Sequence, residues 1–257
     1  MSKRPKIEGV DTKYVIKQVE KQLDNASRRE FGKRMLSLGT LSLLSGCVLT
    51  DDDSIENMLM SVSRWNDKVQ GFLFDPNKMA PTYAESMITK PFPFNAYYGE
   101  DEIRIVDGST FKLELSGLIK DRKSWSLAQL AMLPQTSQVT RHICVEGWSA
   151  IGKWGGIRFS DFLKLVGADT TAKYVGFKCA DDYYTSIDMP SALHAQTQLT
   201  LTFADETLPK EYGFPLKLRI PTKLGFKNPK YITEIYVTND YPGGYWEDQG
   251  YNWFSGA

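Results

Sequence analysis

Arg141-His142-Ile143-Cys144-Val145-Glu146-Gly147-Trp148 sets one cysteine among two basic side chains, a carboxylate and an indole. The thiolate, not the thiol, binds a metal, and neighbouring cations ease loss of the proton. No second Cys or His stands at ligand spacing, so zinc, which takes about four protein or water ligands, is a poor match. A lone soft thiolate suits a metal that a cofactor already holds on its other sides, which points to molybdenum–pterin chemistry. The competing reading is a buried inert thiol, the usual state of a free cysteine. Three ionisable neighbours, Arg141, His142 and Glu146, count against it.

A second concentration of charge follows much later. Lys217, Arg219, Lys223, Lys227 and Lys230 put five cations into fourteen residues. Gly225 and Pro229 shape that loop, and its N–H groups and cations can grip a phosphate. The plainer reading is a solvated basic strand edge. Phe94-Asn95-Ala96-Tyr97-Tyr98-Gly99 is a third segment that must converge with these two. Cys179 ends an apolar strand and reads as core. His194 follows Pro190-Ser191-Ala192-Leu193 in an expected loop; a capping or surface role is its default, and proton delivery is the alternative. Trp148 and Trp154 read as packing or as walls of a funnel to the metal.

The elements that must position these groups are legible in part. Acidic residues at 51–53 and Ser54 start a helix, carried by Ile55, Met58, Leu59, Val62, Val69 and Leu73 and ended by Asp75-Pro76-Asn77. Residues 81–99 read as ordered coil. Alternation at Phe111–Leu115 predicts a half-buried strand, and Ser126 can cap a short helix through Leu133. Ser160 to Val166 repeats that pattern, stopped by Gly167. Tyr174–Cys179, Leu199–Phe203 and Tyr231–Thr238 read as strands; Leu216, Leu218 and Ile220 face one way and Lys217 and Arg219 the other. Strands with short helices between them, in no regular βαβ repeat, predict an α+β domain.

The chain has 257 residues and a formal net charge of zero, but the charge is uneven. Of 31 Lys/Arg and 31 Asp/Glu, residues 1–46 hold 10 and 5, leaving an acidic body. That body argues against nucleic acid as a partner. Cys47, Cys144 and Cys179 are the only cysteines and His142 and His194 the only histidines, with no CxxCH. No haem is expected, so electrons must pass through a separate protein.

The first fifty residues read as an address. Ser27-Arg28-Arg29-Glu30-Phe31-Gly32-Lys33 resembles a twin-arginine export signal. The apolar run from Met35 to Leu44 is shorter than the roughly 20 residues that cross a bilayer. It ends in Leu44-Ser45-Gly46-Cys47, which resembles a lipobox, where an acylated cysteine becomes the mature N-terminus. Twin-arginine export carries folded proteins, which suits a cofactor inserted before export. The expected organisation is a signal at 1–46, a helical segment packed on the core at 47–80, and a domain with an aromatic tail at 81–257. The expected location is the periplasm, with membrane contact through a lipid on Cys47.

Taken together, these motifs resemble the molybdopterin-binding domain of the sulfite oxidase family, and within it the branch that reduces methionine sulfoxide. The likeness runs over roughly residues 80–240 by motif order. It implies a mixed-sheet molybdopterin-binding domain without the family's C-terminal dimerisation domain, and a monomer. It implies one molybdenum–pyranopterin per chain, with Cys144 as the protein ligand to the metal. Asn95, Tyr98 and Gly99 fall on an early cofactor loop, Cys179 on a strand-end contact, Lys217 on a basic contact, and Asn228, Pro229 and Lys230 on the phosphate loop. Arg141 would stabilise the thiolate, and Glu146 or His194 would handle protons. Tyr212 and Gly147 depart from the reductase pattern. The implied reaction is oxygen-atom transfer on a small sulfoxide, methionine sulfoxide included, with electrons from a c-type cytochrome or membrane haem protein. The alternatives are a sulfite-type dehydrogenase, a non-catalytic lipoprotein, and a cysteine-nucleophile hydrolase pairing Cys144 with His142 or His194.

Overall fold

Alternating apolar and charged residues make the strand at 112–117 and a run rich in β-branched residues the strand at 232–238, and the computed structural model places them side by side in parallel. It describes residues 52–257, with side chains from Leu59 onward; the address segment and Cys47 lie outside the described residues. Residues Met60–Ala257 form one unit.

The first sheet is mixed. β1 (Lys112–Gly117) sends Leu113 and Leu115 into the core. It pairs antiparallel with β2 (Trp125–Ser126) and parallel with β10 (Ile232–Thr238). β5 (Tyr174–Cys179) and β6 (Tyr184–Asp188) extend the far side of β10. The second sheet is antiparallel: β3 (Thr136–Ile143) and β4 (Ser149–Arg158) form a long hairpin, and β7 (Gln198–Phe203) pairs with β4. β8 (Glu206–Thr207) and β9 (Lys217–Arg219) each pair with β7, at opposite ends of it. Phe159, Phe162, Phe177, Leu199, Leu218 and Ile235 belong to the main apolar cluster, drawn from both sheets and the short helices. Each such side chain contributes roughly 1.5–3 kcal/mol relative to exposure.

Four α-helices are described. α1 (Asp52–Leu73) precedes the sheets. α2 (Leu127–Ala131) is capped by Ser126, which accepts from Gln129 N–H while the Gln129 side chain reaches back. α3 (Phe159–Leu165) begins after Arg158 with no side-chain cap, so Ser160 is inside the helix rather than its cap. Gly167 stops it with φ +64°, as expected from sequence. α4 (Met189–Leu193) occupies the expected loop before His194. Its first turn takes Pro190 because the missing N–H there has no helical partner anyway, and Asp188 caps it by accepting from Ser191 N–H.

Two features reverse the simple reading of pattern. Among the described side chains of α1, Leu59, Val62 and Leu73 are exposed and Val69 is half-buried, while Asp67 accepts from Phe254 N–H at 2.7 Å. The basic run is not a solvated edge either. Lys217, Arg219, Lys223, Lys227 and Lys230 are all buried, because β7 pairs with β9 and the aromatic tail covers the loop beyond it. That tail folds back as expected: Trp253 Nε1 donates to Ser186 Oγ at 2.8 Å, and Glu247 meets both Thr185 and Lys227.

Candidate active site

Cys144 follows the last residue of β3 in a tight turn. Its N–H donates to Trp148 O at 2.9 Å, and Gly147 N–H donates to Cys144 O at 3.2 Å. Gly147 has φ +92°, a conformation that strains any residue with a Cβ. The turn delivers Cys144 to a cavity of about 160 Å³, partly open to solvent. Asn95, Tyr98, Glu146, Asn228 and Lys230 line the same cavity.

The sulfur donates to Glu146 Oε2 at 3.5 Å, and Trp148 Nε1 donates to that oxygen at 2.9 Å. Burial pushes the Cys144 thiol up; N–H groups of Glu146 and Val145 oppose this, and the Glu146 charge adds to it. No cationic side chain of the described residues is among the main influences on that thiol. Arg141 lies on the opposite face of β3, over the Tyr83 ring at 5.2 Å, and lines a different cavity. Its expected role of stabilising the thiolate is therefore corrected. A coordinated metal ion removes a thiol proton outright and supplies what the protein does not.

Behind the cavity wall stands a cluster of buried positive charge. Lys217 Nζ donates to Asn228 O at 3.0 Å, and Arg219 Nη1 donates to Asn228 Oδ1 at 3.0 Å. Arg219 also reaches Thr140 Oγ1 at 3.2 Å and Arg141 O at 2.5 Å. Lys230 Nζ donates to Asn95 O at 2.6 Å and Glu211 O at 2.7 Å. Lys223 and Lys227 have carboxylate partners, Asp188 and Glu247; among the described residues Lys217, Arg219 and Lys230 have none. Burial depresses all three, Lys217 well below its usual range, Arg219 to about 9 and Lys230 to about 8.

His142 completes the cluster. Burial, then Arg219, Lys217 and Lys230, push its pKa well below the usual value, so the ring is neutral. Asn95 Nδ2 contacts Nε2 at 3.3 Å. With Nε2 accepting, Nδ1 carries the proton, and it is buried with no partner among the described residues, as is Arg219 Nε. Gly225 permits this packing: a Cβ there would sit 2.6 Å from His142 Nε2. Buried cations without counter-ions are costly. Three of them with two unsatisfied donors, beside a cavity holding a thiol, fit an anionic ligand with a phosphate and a thiolate-seeking metal.

The other expected residues sort by place. Asn228 and Lys230 lie in the cavity wall, whereas Pro229 is behind it, its carbonyl accepting from Leu218 N–H. Tyr98 donates to Asp181 Oδ2 at 2.9 Å. Gly99 is exposed and outside the lining. Cys179 packs in the main core, its thiol pushed well up by burial. His194 is removed from the cavity: Gln196 N–H donates to Nδ1 at 3.2 Å and Nε2 bonds Lys78 O at 3.1 Å. Its ring is spent on holding the chain before residue 80, which corrects the expectation of proton delivery. Trp148 holds Glu146, and Trp154 belongs to a small aromatic core with Phe92, Lys217 and Arg219 standing over its ring at 5.9 and 5.8 Å; neither lines the cavity. Sequence reasoning missed Asp181, Tyr183, Trp246 and Tyr251, which do. Asp181 stands two residues past Cys179 and was open to notice; nothing in the tail places its rings there.

Residues 100–246 match the family described as the oxidoreductase molybdopterin binding domain. Over 256 residues the chain is 64% identical to a protein of Azospira oryzae provisionally named as a protein-methionine-sulfoxide reductase subunit, YedZ1, covering 99% of this chain and 98% of that one. It is 32% identical over 156 residues to the protein-methionine-sulfoxide reductase catalytic subunit MsrP of Xanthomonas campestris, covering 54% of this chain and 48% of that one. In fold it resembles the crystal structure of the sulfane dehydrogenase SoxCD from Paracoccus pantotrophus, with TM-score 0.51 and 17% identity over 54% of this chain and 40% of that one. The chain thus spans about half the length of the MsrP relative and less of the SoxCD chain.

Proposed function

The chain belongs to the oxidoreductase molybdopterin-binding domain family, of sulfite oxidase type, and from that premise we propose that it reduces a sulfoxide, methionine sulfoxide among them, to the thioether. The observation that carries this is the pairing of the Cys144 cavity with the buried cations Lys217, Arg219 and Lys230, which form no ion pair among the described residues. Cys144 would ligate the metal. Asn95, Asn228 and Lys230 would hold the pterin and its phosphate, with Lys217, Arg219 and the His142 Nδ1–H behind them. When bound, the group supplies oxygen-atom transfer with exchange of two electrons; orientation and electrostatics are the protein's share.

In the reaction the S–O bond breaks, two electrons and two protons enter, and thioether and water leave. Glu146 Oε2, fixed by the Trp148 indole, is placed to hold or pass a proton beside the Cys144 sulfur. The same carboxylate repels an anion such as sulfite, which favours a neutral sulfoxide over a sulfite-type dehydrogenase reaction. The names given to the relatives from Azospira oryzae and Xanthomonas campestris support the same substrate. Electrons would come from a separate c-type cytochrome or membrane haem protein through a small transient contact. The stretches resembling a twin-arginine signal and a lipobox support a periplasmic protein tethered through Cys47.

Metal-loaded protein given a reduced viologen dye should convert methionine sulfoxide to methionine and leave sulfite untouched. Sulfite oxidation with no sulfoxide turnover would replace this reading with the dehydrogenase one.

A further inference from the structure

α1 wears its apolar stripe on the outside. Val62, Trp65, Phe72 and Leu73 fall within about 100° of one another around a 3.6-residue helix. They are 49%, 63%, 86% and 73% exposed. The edge that meets the body is instead polar: Asp67 accepts from Phe254 N–H and Gln70 accepts from Gly256 N–H at 3.4 Å. Phe74, just beyond the helix, adds ring contacts to Phe254 and His194. A helix that packs through Asp and Gln while presenting Trp and Phe has its amphipathic face reserved for another partner.

We infer that this stripe lies on a phospholipid bilayer, as a second membrane contact beside the anchor. The inference rests on the anchored reading of Cys47. α1 begins at Asp52, five residues past that cysteine, a stretch that reaches about 18 Å at most when fully extended. The helix is therefore confined near any bilayer that holds the lipid. Its composition suits the interface: tryptophan favours the headgroup level, and the exposed Lys68 stands about 40° beyond one edge of the stripe, within reach of anionic lipid. No helix among the described residues is long and apolar enough to cross a membrane, so this one lies in the plane. A short lipid anchor alone leaves a protein free to tumble; a helix on the surface fixes which side of the domain faces the membrane.

The test uses the full chain, cofactor-loaded, on vesicles of phosphatidylethanolamine and phosphatidylglycerol with brominated acyl chains. The bromines should quench tryptophan emission, and Trp65→Phe should remove most of the quenched component. Phe72→Ser with Leu73→Ser should reduce the quenching while turnover with a reduced dye is unchanged. Equal quenching in the Trp65→Phe protein overturns the inference. So does shielding of Trp65 that appears without lipid as protein concentration rises, which assigns the stripe to a second copy. The mass of the N-terminal peptide reports the anchor separately: quenching of Trp65 with Cys47 unmodified sinks the anchor and keeps the stripe.

Discussion

Arg219 Nη1 donates to Asn228 Oδ1 at 3.0 Å, tying a fully buried guanidinium to a residue that lines the Cys144 cavity. The same Asn228 accepts from Lys217 through its carbonyl. The cavity wall is thus backed by two buried cations that form no ion pair among the described residues, an arrangement that costs stability until an anion arrives.

Lys217→Met should separate those two effects. Removing an uncompensated buried cation stabilises the cofactor-free protein by about 1 kcal/mol, a rise in Tm of roughly 2–4 °C. The same change should lower the cofactor retained on purification. Calorimetry of the cofactor-free form and metal analysis of the loaded form read the two arms.

Gly225→Ala tests the packing behind Asn95. The added methyl would stand 2.6 Å from His142 Nε2 and 3.0 Å from Cε1, so the ring must move and its contact with Asn95 is lost. A cost of about 1–3 kcal/mol is expected, with weaker cofactor retention. Denaturant midpoints of the cofactor-free protein measure the first part.

Stability should rise with pH in the cofactor-free protein. Burial lowers both Lys223 and Lys230 from 10.5 to about 8. Between pH 8 and 10 the unfolded chain binds more protons at these two lysines than the folded one, so unfolding becomes harder as pH increases. Below pH 8 both states are charged and the contribution is flat. Above pH 10 tyrosines reverse the trend, because the partly desolvated Tyr97 and the buried Tyr231 are raised to about 12. Bound anion restores the Lys230 charge, so the loaded protein should gain less over the same range. Urea midpoints from pH 7 to 10 check the slope.

Glu247→Gln should be severe. Lys227 and Glu247 are both buried and bonded to each other, and Glu247 also accepts from Thr185. Stripping one charge leaves the other unpaired in the interior, worth about 3–5 kcal/mol. The double change Lys227→Met with Glu247→Leu should recover much of the loss, as a thermal unfolding series would show.

Local pattern made much of this fold readable. β1, β5, β7 and β10 alternate or run apolar, and Ser126 and Gly167 mark helix ends, so sequence periodicity and the chain agree there. The hairpin of β3 and β4 is not legible from pattern, because Gly152, Gly155 and Gly156 interrupt the alternation of β4. In the chain they let a neighbouring strand come close: a Cβ on Gly156 would collide with Leu199 O. The basic segment misled in the other direction. Lys217 and Arg219 sit on β9 opposite Leu216, Leu218 and Ile220, the alternation of a half-exposed strand, yet both faces are covered. Burial on the second face is decided by the partner strand and the tail, which lie far off in sequence. Cys144, Glu146, Asn95, Asn228 and Lys230 line one cavity, whereas Arg141 and His194 stand away from it, because closeness in sequence to a cysteine does not decide which face of a strand a side chain takes.

The bond from the Cys144 sulfur to a pterin-held molybdenum is tested most directly by metal analysis of purified wild type and Cys144→Ser chains from a host that makes the cofactor. The wild type should carry about one molybdenum per chain, and the serine variant, with a harder ligand in place of thiolate, should lose turnover. A wild-type chain that comes out of such a host free of molybdenum, or a serine variant as active as its parent, would contradict it.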